Sequence, residues 1–131
     1  MKAIPKFLFV SILLSFTLFS CNKSATAIIT NGTWFVSMYM DDNKDETSDF
    51  TGYVFDFKSS GSLSVTTGSG ATVFGTWNYD NNALKYNIFI SGTGALDKIK
   101  GGWVIISKSK TLLQLRDDDP SKNNMLNFKK R

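Results

Sequence analysis

The chain has no histidine among its 131 residues and a single cysteine, Cys21. Without histidine there is no Ser–His–Asp triad, no Cys–His pair and no His-based zinc site, which removes most hydrolytic mechanisms. Carboxylates remain, in two runs. The first, Asp41-Asp42-Asn43-Lys44-Asp45-Glu46-Thr47-Ser48-Asp49, sets Asp41, Asn43 and Asp45 at the one-three-five spacing of a calcium loop. Glu46, however, stands where that loop requires glycine, and Gly52 where it requires a bidentate glutamate. Two readings stay open: a looser calcium site from Asp41, Asn43, Asp45 and Asp49, and, favoured, a solvated loop between strands. The second run, Asp117-Asp118-Asp119-Pro120, reads as a turn, because proline cannot continue a strand ladder. An acid–base pair would need one carboxylate desolvated until its pKa rises. All of them fall in expected loops except Asp56, alternating outward between Phe55 and Phe57, and Asp80 and Asp97 at strand ends. The chemistry is that of a non-enzymatic protein, with no cofactor expected.

The Cys21 thiol closes a stretch with a secretory layout. Lys2 and Lys6 precede an apolar run from Phe7 to Phe19, broken only by Ser and Thr, and Ser20 is the small residue before the cysteine. The run falls short of the roughly 20 residues of a spanning helix, so cleavage is favoured over a transmembrane anchor. Leu18-Phe19-Ser20-Cys21 resembles the lipobox of bacterial lipoproteins. The resemblance implies a signal peptide over residues 1–20, a diacylglycerol on the Cys21 sulfur and a further acyl chain, of the palmitate kind, on its new amino group. One buried chain holds only marginally and two hold stably, so Cys21 would be a lasting membrane anchor. The alternative is ordinary cleavage elsewhere, for example near Ala25 or Ala27, with Cys21 an unmodified thiol. Asn22-Lys23-Ser24 lacks the acidic residues that resemble inner-membrane retention or surface-export signals in related bacteria. The implied address is the cell envelope, at the outer membrane and facing the periplasm.

The elements that carry these residues follow from periodicity. A mature chain starting at Cys21 has room for one compact domain and not for two. Losing Lys2 and Lys6 lowers the formal charge from +4 to about +2. Lys129-Lys130-Arg131 reads as a solvated terminus and not as the broad basic face of a nucleic-acid partner, and the chain is expected to be a monomer. Residues 21–31 are expected as a lipidated tether that begins to dock at Ile28 and Ile29. From Gly32 to Arg131, runs of five to eight residues rich in Val, Ile, Phe, Tyr, Trp and Thr alternate with Gly, Asn, Asp and Ser clusters. They predict eight strands, near 33–40, 52–58, 62–67, 71–79, 83–90, 102–108, 111–116 and 124–129.

Alternation assigns an inner face. It holds Trp34, Val36 and Met38, then Tyr53, Phe55 and Phe57, then Leu63 and Val65, then Val73, Trp77 and Tyr79. Leu84, Tyr86, Ile88 and Ile90 follow, and the last three strands add Trp103 with Ile105, Leu113 with Leu115, and Leu126 with Phe128. Phe35, Tyr39, Phe74 and Phe89 fall outside. The run "WVIIS" at 103–107 is apolar on both faces, and its outer side is expected to be covered by the docked tether. Hairpin-linked strands with one apolar face close most economically into an antiparallel up-and-down barrel of eight strands, with a β-sandwich as the alternative.

Gly-Thr-Trp occurs twice, at Gly32-Thr33-Trp34 and Gly75-Thr76-Trp77, with a weaker third copy at Gly101-Gly102-Trp103. The bland reading is core tryptophans beside turn glycines, and it suffices for the last two. The first copy resembles the opening Gly-x-Trp of the lipocalins, and the wider pattern resembles the lipocalin-like lipoproteins of Bacteroidetes-type bacteria. The resemblance implies a barrel plugged at one end by Trp34 beneath a basic residue of the last strand, Lys129, Lys130 or Arg131. It also implies a small apolar or amphipathic ligand inside, against Trp34, Met38, Tyr53, Phe55, Phe57, Trp77, Tyr86 and Trp103. Nine large aromatics on short strands could equally fill the barrel. The competing function is therefore an envelope structural or interaction protein, or an inhibitor, with no small-molecule ligand.

Overall fold

The computed structural model describes residues 24–92 and 94–131; the lipobox and Cys21 lie outside the described residues. All eight expected strands form, and one short strand is added. They are β1 (Trp34–Asp41), β2 (Lys44–Asp45), β3 (Val54–Phe57), β4 (Ser62–Thr66), β5 (Thr72–Asp80), β6 (Lys85–Ile90), β7 (Gly101–Lys108), β8 (Leu112–Asp117) and β9 (Met125–Lys130). Every neighbouring pair is antiparallel. The order β2-β1-β3-β4-β5-β6-β7-β8-β9 closes through a β1–β9 ladder, giving an eight-stranded barrel with β2 as a spur on β1. The two sides of β1 are unequal: six residue pairs join it to β9, and one pair, Trp34 with Phe55, joins it to β3.

Up-and-down topology sorts the connections onto two ends. At one lie the turns 58–61, 81–84 and 109–111 together with the start of β1 and the end of β9. A short helix, α1 (Ala25–Ile29), sits there, capped by Ser24, whose hydroxyl accepts from the Ala27 amide. We call this the helix end. At the other, the loop end, lie the connections from β1 to β3, β4 to β5, β6 to β7 and β8 to β9. Two 3₁₀ segments, Thr47–Phe50 and Gly94–Ile99, fold inward there and bury Phe50, Leu96 and Ile99.

Alternation places most of the core as expected, with three departures. The β1–β9 register shifts between Val36 and Met38, so a bulge reverses the parity of β1 beyond it. Tyr39, expected outside, is buried opposite Leu126, while Met38, expected inside, pairs with Asn127 on the outer face and is half-buried. Leu84, expected inside, stands in the β5–β6 turn with φ +53° and is 54% exposed. The segment before Gly32 is a helix packed into the barrel mouth, not a cover for β7. The Tyr86 hydroxyl donates to the Ala25 carbonyl at 2.7 Å, the Trp34 indole N–H donates to the Ile29 carbonyl at 2.9 Å, and Ile106 on β7 is left 51% exposed. The reason is local: Ala25, Ile28 and Ile29 make one apolar side of a helical turn, and the open end of a barrel is the nearest place to bury it.

Candidate functional site

The interior residues expected to meet a ligand meet one another. Phe55 and Phe57 stack at 6.3 Å between centroids, and Phe128 meets both edge-on at 5.1 and 5.7 Å. Trp77 lies edge-on to Phe57 and to Tyr86, and Tyr86 packs against Tyr79. Toward the loop end Tyr39 touches Phe50 and Trp103, and Phe50 touches Tyr53. Trp34, Phe55, Phe57, Tyr86 and Trp103 are at most 1% exposed. Such edge and offset contacts are favourable beyond the area they bury.

Each tryptophan also ties a segment outside the strands to this interior. Trp34 holds α1 as described, Trp77 donates its indole N–H to the Lys58 carbonyl in the β3–β4 turn at 2.9 Å, and Trp103 donates to the Ile99 carbonyl at 2.8 Å. The barrel is thus stoppered at both ends by groups that its own indoles hold. Among the basic residues of the last strand, Lys130 is the one opposite Trp34 in the ladder. Its side chain crosses Gly32, where an added Cβ would stand 2.9 Å from Lys130 Cε and where φ is +83°. Gly75 is needed for a different reason: a Cβ there would press into the Phe89 carbonyl oxygen of the neighbouring strand.

Among the described residues, clefts open at the loop end and on the outer wall. The first, about 390 Å³, is floored by Tyr39 and walled by Asp41, Asp97, Lys98, Lys100, Asp117 and Asn124, with Asp42, Ser121 and Lys122 at its lip. A second, about 360 Å³, lies between Tyr53, Thr67, Gly68, Val73, Gly92 and Leu96. Of the eight expected ligand contacts, only Tyr53 lines either one. The groups that give the first cleft its character are the polar residues of the β1–β2, β6–β7 and β8–β9 connections. They were missed as a set because they are distant in sequence, and only the parity of the hairpins would have brought them to one end.

Within the acidic run at 41–49, the carboxylates of Asp45, Glu46 and Asp49 have internal partners. Lys98 Nζ bridges Glu46 at 2.6 Å and Asp49 at 2.9 Å, and these hydrogen bonds hold the Lys98 ammonium above its ordinary range. Asp45 accepts from the Thr47 hydroxyl at 2.6 Å and from the Thr47 amide at 3.0 Å, which holds its carboxyl below the usual value. Asp119 is lowered in the same way by the Ser121 hydroxyl and amide. Among the described residues no three acidic, histidine or cysteine side chains converge to hold a metal ion. Burial pushes the Tyr39 phenol up to about 12, helped by Asp41 and Glu46, although its hydroxyl makes only a long 3.5 Å bond to the Lys98 carbonyl. Burial raises Tyr86 further.

No protein-family model matches the chain, and no curated protein matches it in sequence. Two solved structures share its fold. A DUF4847 family protein from Bacteroides vulgatus superposes with a TM-score of 0.63 at 16% identity, over 82% of this chain and 98% of the other. A lipocalin-like protein from Bacteroides uniformis superposes with a TM-score of 0.56 at 18% identity, over 79% of this chain and 99% of the other. At these identities the likeness defines a fold: an all-β, lipocalin-like closed barrel. Both neighbours are almost wholly covered by this chain, whose barrel and the two segments that close it lie within residues 24–131.

Proposed function

We propose that this chain is an envelope lipoprotein, held to the periplasmic face of the outer membrane by acylated Cys21, whose barrel works as a rigid interaction body and not as a container. One observation carries the reading: the barrel interior is occupied by its own aromatics and closed at both ends by α1 and the Gly94–Ile99 segment. A small apolar ligand would have to displace Phe55, Phe57, Trp77 or Tyr86 from close-packed contacts, at a cost of several kcal/mol per aromatic removed. Surface contact needs no such rearrangement. The absence of histidine in the sequence supports a non-enzymatic role.

A second reading rests on the loop-end cleft. Its Tyr39 floor and its walls of paired lysines and aspartates suit a small zwitterionic or polar molecule better than the apolar one that the lipocalin resemblance suggests. Native mass spectrometry of residues 24–131, with a titration of a fluorescent fatty-acid analogue, separates the rigid body from a container for an apolar ligand, and a stoichiometric polar adduct lost in Lys98→Gln would favour the cleft. A dry protein that leaves the probe unbound supports the rigid body. A stoichiometric lipid-like adduct, or saturable probe binding abolished by Phe57→Trp, overturns it. The anchor is checked by the mass of the mature chain from membranes: an acylated N-terminal Cys21 is expected, and an unmodified thiol defeats it.

A further inference from the structure

Charge is distributed unevenly between the two ends of the barrel. Nine of the eleven carboxylates lie at the loop end, and only Asp56 and Asp80 lie toward the helix end. The helix end gathers Lys58, Lys108, Lys110, Lys129, Lys130 and Arg131, from two turns, the end of β7 and the end of β9. The lysines of the loop end are largely neutralised in place, as Lys44 with Glu46, Lys98 with Glu46 and Asp49, and Lys100 with Asp97. Among the described residues no carboxylate lies within salt-bridge distance of Lys108, Lys110, Lys129, Lys130 or Arg131.

The same end exposes two large apolar side chains, each at an irregularity on adjacent strands. Leu84 holds a left-handed backbone, φ +53°, in the β5–β6 turn, where Asn or Gly would be the comfortable residue. Ile106 is the extra residue of the β7 bulge, between Ile105 and Ser107. The two strands meet where the Ile105 amide donates to the Leu84 carbonyl at 2.9 Å. Following the sheet from β6 to β9, the surface runs through Leu84 and Ile106, then Lys108 and Lys110, then Lys129 to Arg131, while α1 enters over the β6 side, where the Ala25 carbonyl accepts from Tyr86. Only two residues, Asn22 and Lys23, separate Ser24 from Cys21, three Cα steps that reach at most about 10 Å.

We propose that the helix end is a docking face for a negatively charged phospholipid surface: the basic arc binds the phosphate headgroups, while Leu84 and Ile106 enter the interfacial layer. The orientation rests on the Cys21 anchor proposed above, which would hold this end and not the acidic one against the bilayer; the lipid contact itself does not require acylation. A basic patch flanked by apolar side chains is a second membrane signal beside a lipid anchor. Each Lys or Arg near an anionic surface contributes a factor of about five in partitioning.

The test uses residues 24–131, which lack Cys21, with vesicles of phosphatidylcholine alone or with one-third phosphatidylglycerol, read by co-sedimentation at low salt. The expected result is binding to the anionic vesicles only, reversed by half-molar NaCl. Lys108→Gln with Lys110→Gln should weaken it about 25-fold, whereas Lys44→Gln with Arg116→Gln, the same charge change at the loop end, should leave it within about twofold. Leu84→Asn should also weaken it, while raising the melting temperature by relieving the left-handed leucine. Equal losses for the two lysine pairs, or no anionic preference, overturn the docking face. Tighter binding to single-stranded DNA than to anionic vesicles, unaffected by Leu84→Asn, overturns lipid as the partner. A chain that is acylated in cells but whose residues 24–131 ignore vesicles defeats the docking and leaves the anchor standing; the converse defeats the anchor alone.

Discussion

Replacing Tyr86 by phenylalanine removes one oxygen from the interior and tests whether α1 is a true stopper. Tyr86 is fully buried, and its hydroxyl donates to Ala25 at 2.7 Å across 61 positions of sequence. Losing such a bond costs about 1 kcal/mol, rising to about 3 kcal/mol where the carbonyl left behind finds no other donor. For a domain of this size 1 kcal/mol corresponds to about 4 °C, so calorimetry of residues 24–131 should show a drop of roughly 4–12 °C. The loss should also be local: the Ile28 and Thr30 amides, bonded to Ser24 and Thr26, should gain hydrogen exchange well before the strands do. Tyr39→Phe is the internal control, because its hydroxyl bond is 3.5 Å long and its removal should cost less than about 2 °C. Equal shifts for the two variants, or unchanged exchange in α1, would refute the tie between helix and barrel.

The bulge in β1 makes neighbouring residues behave oppositely. Tyr39→Ser should cost about 3–5 kcal/mol in urea denaturation and Met38→Ser less than about 1 kcal/mol, and the reverse order would restore unbroken alternation. Gly75→Ala should lower stability by about 1–3 kcal/mol, because the Cβ meets backbone that cannot turn aside, while Phe74→Ser beside it, where the ring is 72% exposed, should be nearly neutral. Tyr39 and Tyr86 have folded pKa values raised above the ordinary 10, so both favour folding in the neutral form. That stability is complete below pH 10 and lost as pH rises toward and past 12; urea midpoints from pH 9 to 12 should fall less steeply in Tyr39→Phe with Tyr86→Phe than in the parent.

Period-two alternation was enough to read the strands and most of the core, because a half-buried antiparallel strand writes its two faces directly into the chain: Phe55 and Phe57 against Val54 and Asp56, Leu113 and Leu115 against Gln114. It failed where the backbone departs from the pleat. Nothing in "WFVSMYM" marks the extra residue between Val36 and Met38, since Ser, Met and Tyr suit either face, and the position is fixed by pairing with β9. Leu84 is a tertiary override, an apolar residue in a turn conformation that its side chain disfavours. The stoppers were partly legible. Ser24 followed by Ala25, Ile28 and Ile29 has the cap and spacing of one helical turn, too short to stand out from a tether. "GALDKI" carries no helix signal beyond Leu96 and Ile99, whose burial depends on the open barrel mouth beside them. The polar cleft was invisible because its members come from three loops, and the ends of a barrel become neighbours only after closure.

The unequal flanks of β1 set the order in which the molecule can come into being. Its first strand has one residue pair with β3, its nearest strand of the barrel, and six pairs with β9, about 90 positions away. A chain emerging from its N-terminus can zip β3 through β8 hairpin by hairpin, yet β1, beyond its own β2 spur and the Thr47–Phe50 segment, has a single pair with the rest of the barrel until Met125–Lys130 arrives. The large loop-closure cost then falls in a single late step, the one that also seals the aromatic interior. A chain that lacks Met125–Lys130 is therefore expected as an open sheet with Trp34, Phe55 and Phe57 less covered, because the strand that closes the barrel onto β1 is missing.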